Sequence, residues 1–378
     1  MDTTERKKIG ILLVSDDVGV VYYLLSITKS LEYLDDATKP QVCLFYDDSC
    51  EKYVSMFTYV YLDKIHIEYK KNSLLKYLFS MITRQNLFIK TLLIKYDLKG
   101  LFPVMDLPVK YTVPSKVIAS WIPDFQHKFY SHFFTKKNLL LRETRFKQIV
   151  NNCDTVVLSS QDAYSHFKVF YNTKVKVQIL PFVSMIENFP TTSMDELIIK
   201  YKIIHPYFVL SNQFYAHKNH IVVFKAIKRL KDEGLNFLVY FTGKTEDYRD
   251  PLFFGTLAKF IKDNQIEEQV RILGLVSRED QLGLVKGASA IIQPSKFEGW
   301  NSTIEDAKTL QQQVICSDLK VHIEQMSFNA FYFAPDDELA LASIMKQFIQ
   351  NKEATKPVFT NYSERISQFA NSFVSIFN

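Results

Sequence analysis

Glycine is scarce in this chain. The 378 residues hold 10 glycines, at positions 10, 19, 100, 234, 243, 255, 274, 283, 287 and 299. No set of them fits G-x-G-x-x-G, and no G-x-x-x-x-G-K-[ST] occurs, which excludes a dinucleotide fingerprint and a Walker A loop. The four cysteines, Cys43, Cys50, Cys153 and Cys316, form no C-x-x-C pair. Zinc ribbons and thioredoxin chemistry therefore lack support, and free thiols in a reducing cytoplasm are expected. An excess of one charge is missing too: 46 basic against 41 acidic residues leaves +5, too mild to indicate a nucleic-acid partner. No apolar run is long enough to span a membrane. Ile9–Val14 stops at Ser15-Asp16-Asp17 and follows a charged start, so it reads as a buried first strand rather than a signal peptide.

What is present is ordinary globular chemistry, with 47% hydrophobic and 23% charged residues, in a length that suits two domains. The 31 Phe and 21 Tyr read as a composition bias. Strand-like and helix-like patterns alternate, which predicts βαβ units and parallel sheets. Strands are expected at Ile9–Val14, Gln41–Tyr46, Lys116–Trp121, Asp154–Leu158 and Val175–Leu180. Helices are expected at Val20–Leu34 and Lys136–Asn151, and from Gln161 behind a Ser159-Ser160 cap. Phe182–Pro206, with its prolines and its short charged helix, reads as the crossing between domains. A second α/β series follows. Its strands are Tyr207–Ser211, Asn236–Thr242, Val270–Leu273, Ala288–Ile292 and Val314–Cys316. Its helices are Lys218–Glu233, ended by Gly234, and Tyr248–Asn264, and one more opens at a capping-box-like Ser277-x-x-Asp280. A helix after Asn301 and helices from Pro335 onward close the chain.

The segment Lys64–Gly100 stands apart, with eight basic residues against Glu68 and Asp97, a net of +6. Leu74, Leu75, Leu78, Phe79, Ile82, Leu87, Phe88, Leu92 and Leu93 are interleaved. Residues 64–99 suit either a basic amphipathic surface for anionic lipid or two core helices with solvated lysine faces.

The residues richest in chemistry are Pro294-Ser295-Lys296-Phe297-Glu298-Gly299-Trp300-Asn301, with Asp306 eight positions after Glu298. A strand feeds a loop with one glycine, and a helix starts directly after it. At the carboxyl end of a parallel sheet this is where ligands sit. Gly299 lets a ligand approach the backbone, and helix-start amides hold phosphate or sugar oxygens. Read alone, the stretch is either a polyol-phosphate site or a capped βα turn with surface acids. Lys218 stands at a second helix start, where a cation adds to the dipole and attracts phosphate. His217 and His220, at i and i+3, suit a metal pair or a capping and packing role. No third ligand is placed by sequence, which favours packing.

These motifs, in this order, resemble the retaining glycosyltransferases of family four (glycosyl transferases group one), which have the GT-B fold. That family carries P-S-x-x-E-G and a second acid eight residues on. Here the second acid is Asp306, with Glu305 before it, where the family has Glu on the nucleotide ribose. Asn212-Gln213-Phe214-Tyr215-Ala216-His217-Lys218-Asn219 falls where the family has G-R-x-x-x-x-K on the donor pyrophosphate. Lys218 matches the lysine, and Gln213 stands at the arginine. Gly274-Leu275-Val276-Ser277 resembles the turn that meets the nucleotide base. Trp121-Ile122-Pro123-Asp124-Phe125-Gln126-His127 resembles the segment whose histidine contacts the donor sugar, and Arg142 and Arg145 fall where basic residues often stand. Asp16-Asp17-Val18-Gly19-Val20 keeps one glycine of the family's first loop. Gln311-Gln312-Gln313 replaces its Gly–Pro pair.

The resemblance implies an α/β chain of two Rossmann-like domains facing a central cleft. The first is an acceptor-side domain, residues 1–185, onto which a C-terminal helix near 360–378 crosses back. The second, residues 186–355, binds the nucleotide sugar. It implies transfer of a hexose from a nucleoside-diphosphate sugar to a glycan or lipid-linked acceptor in cell-surface polysaccharide synthesis. Catalytic roles fall to His127 and Glu298. Donor contacts fall to Gln213, Lys218, Gly274, Leu275, Val276, Gly299, Trp300, Asn301, Glu305 and Asp306. No D-x-D is present, and no metal or other cofactor is implied beyond the sugar nucleotide as co-substrate. A cytoplasmic protein is expected, peripheral on an anionic membrane through residues 64–99. Two other classes stay open: an epimerase of the same fold acting on a nucleotide sugar, and a non-catalytic scaffold that kept the fold.

Overall fold

The computed structural model describes residues 6–69, 80–83, 86–110, 113–186, 189–247, 249–350 and 361–378. The chain divides into two compact units, Met1–Met185 with Asn361–Asn378, and Ile186–Thr360.

Among the described residues, the first unit holds seven strands: β1 (Lys8–Leu13), β2 (Gln41–Tyr46), β3 (Leu62–His66), β4 (Gly100–Phe102), β5 (Val117–Ile122), β6 (Thr155–Leu158) and β7 (Lys176–Ile179). They form one sheet in the order β3-β2-β1-β4-β5-β6-β7, and every pairing is parallel. Parallel sheets are buried on both faces, and β1 shows how. Ile9, Ile11 and Leu13 enter one core cluster, while Leu12 and Val14 enter the other. Successive side chains point to opposite faces, so a run apolar at every position serves two helical layers.

The helix Tyr362–Ser375 belongs to this unit although it ends the chain. Ile366, Phe369 and Phe373 join the cluster that holds Tyr23, Phe102 and Trp121. Tyr362 accepts the Ser184 amide at 2.8 Å, and Tyr23 stacks on Trp121 with centroids 4.1 Å apart. Gly100 is dictated by this packing: a Cβ there would lie 2.2 Å from the Val117 carbonyl oxygen and 2.6 Å from the Phe377 ring.

Among the described residues, the second unit holds six strands: β8 (Tyr207–Ser211), β9 (Leu238–Thr242), β10 (Val270–Gly274), β11 (Ala290–Gln293), β12 (Val314–Ser317) and β13 (Ala330–Phe333). Their order is β10-β9-β8-β11-β12-β13, again all parallel. Along β8, Phe208 and Leu210 face one cluster, and Tyr207 and Val209 face the other.

Several expectations change. The Ser277 side chain does accept the Asp280 amide at 3.1 Å, but no capping box forms there. The Asp280 carboxylate instead takes bonds from Thr192, Lys200 and Tyr201 at 2.5–2.6 Å, tying helix Arg278–Gly287 to helix Met194–Tyr201. The reciprocal box is Ser193 with Glu196, where the longer Glu reaches back to its cap. The helix expected from Tyr248 runs Phe253–Asp263, since Asp250-Pro251 forms a turn before it; Tyr248 itself lies outside the described residues. The segment 64–99 opens as an edge strand rather than a helix, and its described helical residues are 80–83 and Leu87–Lys95. Leu74, Leu75, Leu78 and Phe79 lie outside the described residues, as does the expected domain end near 355.

Candidate active site

The second sheet reverses its strand order between β8 and β11. In open α/β sheets, ligands lie beyond the carboxyl ends of the strands at such a reversal. Two loops leave the sheet there, 212–219 after β8 and 294–301 after β11, and their polar side chains form one hydrogen-bonded chain. Asn212 donates to the Gln293 amide oxygen at 2.8 Å, and Asn301 donates to the same oxygen at 3.1 Å. Asn301 also donates to Glu298 Oε1 at 3.1 Å. Lys218 Nζ donates to that same Glu298 oxygen at 2.6 Å, with the two side chains only 17% and 8% exposed.

Local backbone chemistry holds these groups in place. Asn301 caps helix Ser302–Thr309, its side chain accepting the Ile304 amide at 3.0 Å, so one residue fixes both the helix start and Glu298. Asn219 adopts φ +57°, a left-handed position that Asn tolerates better than most residues. From there its amide donates to the carbonyls of Pro294 at 3.1 Å and Pro335 at 2.7 Å. Gly243, at φ +129°, sits so close to the β8 loop that a Cβ would lie 2.2 Å from the Asn212 carbonyl oxygen.

Burial by itself would raise the Glu298 carboxyl, but the Lys218 ammonium overrides it and the net direction is downward. Glu298 is thus held ionised. Burial also pushes His217 and His220 down to about 3, with Lys218 acting in the same direction. Both imidazoles are neutral at physiological pH. His220 packs flat on Phe214, with centroids 4.2 Å apart and planes 13° apart, so it takes the packing role.

The other donor residues fall around this centre. The Gln213 side chain accepts the Lys244 amide at 2.8 Å, closing the loop after β8 onto the loop after β9. Gly274 ends β10 at φ +66°, its carbonyl accepting the Gly243 amide at 2.8 Å. Leu275 after it is 64% exposed, and Val276 is half-buried. Gly299 and Trp300 are half-buried in the loop beside Glu298. Asp306 is buried and bridged to Arg278 at 2.7 Å. Arg278 in turn donates to Gln281 at 2.9 Å, and Gln281 reaches the Ser211 hydroxyl at the end of β8.

Glu305 departs from its expected donor role. It is fully buried and accepts from Gln325 at 3.0 Å and Lys308 at 3.4 Å. Adjacent helix positions point about 100° apart, so Asp306 and Glu305 look to different surroundings.

In the first unit, β5 leads into the four-residue helix Gln126–Phe129, which carries His127. The ring is buried, its Nε2 stands 3.4 Å from Glu143 Oε2, and its edge meets Phe146 with centroids 5.2 Å apart. Burial, with Arg142 nearby, pushes its pKa down, and Glu143 acts against that shift. Glu143 also takes the Lys128 ammonium at 2.6 Å. Arg142 bridges to Asp124 at 2.9 Å. Glu143, Asn212, Gln293 and Arg278 carry this geometry and were not singled out from sequence, because each meets its partner across a separation with no local pattern.

Residues 200–369 match the family model Glycosyl transferases group 1. A relative, the O-antigen chain mannosyltransferase RfbU of Salmonella typhimurium, is 29% identical over 159 residues, a stretch spanning 42% of this chain and 42% of that relative's length. Among solved structures, a glycosyltransferase from Rickettsia africae has a TM-score of 0.66 at 16% identity, over 99% of this chain and 94% of its own. HepE of Anabaena in complex with UDP-glucose has a TM-score of 0.66 at 14% identity, over 98% and 97%. WaaG, from lipopolysaccharide biosynthesis, has a TM-score of 0.59 at 13% identity, over 96% and 95%. At these identities the structural likenesses speak for the fold, which is the two-domain GT-B architecture. Through residues 200–369, a little under half of its length, the chain is similar to the glycosyl transferases group 1 family.

Proposed function

We propose that this protein is a retaining glycosyltransferase that moves a hexose from a nucleoside-diphosphate sugar to a glycan or lipid-linked acceptor in cell-surface polysaccharide synthesis. The observation that carries the reading is the convergence of Lys218, Glu298 and the Asn301-capped helix start at the β8/β11 reversal. Bond cleavage puts charge on the departing diphosphate. A fixed ammonium and helix-start amides stabilise that charge without reorganising at the moment of reaction. Glu298, held ionised, accepts from the hydroxyls of the donor sugar and orients it. Asp306 and Arg278 serve the ribose side, and the Gly274-Leu275-Val276 turn offers its backbone to the base. For His127 we propose a contact to the donor sugar, with Glu143 fixing the ring.

No metal is assigned a role. The name of the Salmonella relative favours transfer over isomerisation. Among the described residues no helix is long and apolar enough to cross a membrane, and the proposed location is the cytoplasm, peripheral on a membrane.

The test is product analysis with labelled sugar nucleotides and a lipid-linked oligosaccharide. Transfer to the acceptor with the donor's anomeric configuration is expected. Epimerised sugar nucleotide formed without acceptor, or donor binding with no turnover across a broad acceptor set, would overturn the reading.

A further inference from the structure

Asp247 and Arg249 stand two residues apart, between β9 and helix Phe253–Asp263. Arg249 donates to the Asp247 carboxylate from its backbone amide at 3.0 Å, from Nε at 2.9 Å and from Nη2 at 3.1 Å. The two side chains are 12% and 3% exposed. A carboxylate that takes two bonds from one edge of a guanidinium fixes the plane of that guanidinium. The fixed plane lies against a ring: its central carbon is 4.4 Å from the centroid of Tyr215, within the range where a cation and an aromatic face attract.

Tyr215 belongs to the other loop, 212–219, which carries Lys218. The short turn Ala216–Lys218 begins at Tyr215, and the Tyr215 carbonyl accepts the Lys218 amide at 2.8 Å. Fixing Tyr215 therefore fixes where the Lys218 side chain starts. The Tyr215 ring also stands 5.9 Å from the ring of His217, and the His217 carbonyl accepts the Lys296 amide at 2.8 Å, so the loop 294–301 leans on the same turn. Arg249 adds, after burial and Lys218, to the downward push on His217. Direct contacts thus run from Asp247 through Arg249 and Tyr215 to Lys218, and from Lys218 to Glu298. Nearer the start of the loop, the Phe214 amide donates to the Lys244 carbonyl at 2.9 Å, so the two loops are tied at two points. A buried ion pair is a weak source of stability by itself. Set behind the lysine of the site, it suits the task of holding a loop in place.

We propose that Arg249 is a positioning residue: clamped by Asp247 and stacked on Tyr215, it holds the loop 212–219 where the Lys218 ammonium meets Glu298 and a bound diphosphate. Lysine cannot replace it, because lysine offers a point charge where the clamp and the stack need a planar fork. The inference rests on the proposed function only for the diphosphate.

The test is a double-mutant cycle on the full chain, read by urea unfolding with no ligand present. Arg249→Lys keeps a charge beside Asp247 and loses the fork and the stack. In the wild-type background it should lower the folding equilibrium constant about tenfold, and in the Lys218→Met/Glu298→Gln background, where no pair is left to position, by no more than about twofold. An equal loss in both backgrounds makes the clamp a local structural feature and overturns the proposal, as does no loss in either. If Arg249→Lys fails to fold, Tyr215→Leu removes the stack without stranding a charge and takes its place in the cycle. Binding of UDP, GDP, ADP, CDP and dTDP to the same proteins gives the second readout. The diphosphate that binds the wild type should bind Arg249→Lys about tenfold more weakly, the scale of one misplaced charged hydrogen bond, while the matching nucleoside binds both alike. An equal loss for nucleoside and diphosphate also overturns the proposal. If no diphosphate binds the wild type, the donor-site reading fails and the urea cycle still decides the clamp. An additive cycle with diphosphate binding intact sinks only this inference.

Discussion

The two sheets reverse their strand order in the same way, and what stands at the two reversals differs. At β8/β11 the space is crossed by Asn212, Gln293, Asn301, Glu298 and Lys218 in one hydrogen-bonded chain. At β1/β4 an open cavity remains, walled largely by apolar side chains with Asp106 and Arg145 among them. Topology fixes where a ligand lies, and the loops after the strands fix which ligand it is. A preorganised ammonium–carboxylate pair suits a ligand whose charge changes in the reaction. A mostly apolar hollow with one acid and one base in its wall suits a ligand held largely by burial.

The comparison breaks most directly at Lys218. Lys218→Ala should lower kcat about 10²–10³-fold, the usual loss when one charge-stabilising donor is removed; initial rates at saturating donor measure it. The same substitution strands a buried carboxylate, and urea unfolding should show a loss of about 3 kcal/mol. The double variant Lys218→Met/Glu298→Gln should restore most of that stability and none of the activity, which separates the electrostatic role from packing. If it regains turnover, the pair is structural.

A contrast within the second unit comes next. Asp280 is as buried as the site acids, but it serves only to join two helices. Asp280→Asn should destabilise the protein by about 2 kcal/mol and leave the donor KM unchanged, as urea titration and steady-state kinetics would show. Its carboxyl is held down at about 2: burial would raise it, and the bonds from Lys200, Thr192 and Tyr201 outweigh that. A lowered acid stabilises the fold above its unfolded pKa, so this contribution is present at neutral pH. It is lost as pH falls from about 4 towards 2.

The smallest effect concerns His220, whose folded pKa lies near 3 because it is buried. Between about pH 6.5 and 3 the unfolded chain binds a proton there that the folded chain does not, so stability falls as pH falls. His220→Phe keeps the stack on Phe214 and should flatten the decline between pH 6.5 and 5 by up to about 1.4 kcal/mol per pH unit. Denaturation midpoints across that range would show it.

The fold was legible wherever a strand is apolar on both faces. Gln41–Tyr46 and Tyr207–Ser211 end where the sequence pattern places them. β3, β4 and β13 were not, since β3 is an edge strand with three of its five residues polar and exposed, β4 has three residues, and β13 hides in an aromatic run. In the site, Glu298 and Lys218 stand out because a strand, a glycine and a helix start surround them locally. Gln293, Asn212 and Arg278 do not, because their partners lie 81 and 28 residues away. Glu305 misled for the opposite reason: it stands in the right place in sequence, and one helical step turns it into the interior.

The central claim is that the β8/β11 reversal binds a nucleoside diphosphate through Lys218. A thermal-shift panel of UDP, GDP, ADP, CDP and dTDP, with their common sugars, tests it on the wild type, Lys218→Ala and Lys218→Met/Glu298→Gln. Ligand at one hundred times its Kd stabilises a fold by about 2.7 kcal/mol. The account predicts that one diphosphate raises the wild-type Tm and that both variants lose the shift. No shift at millimolar ligand, or an equal shift in both variants, would contradict it.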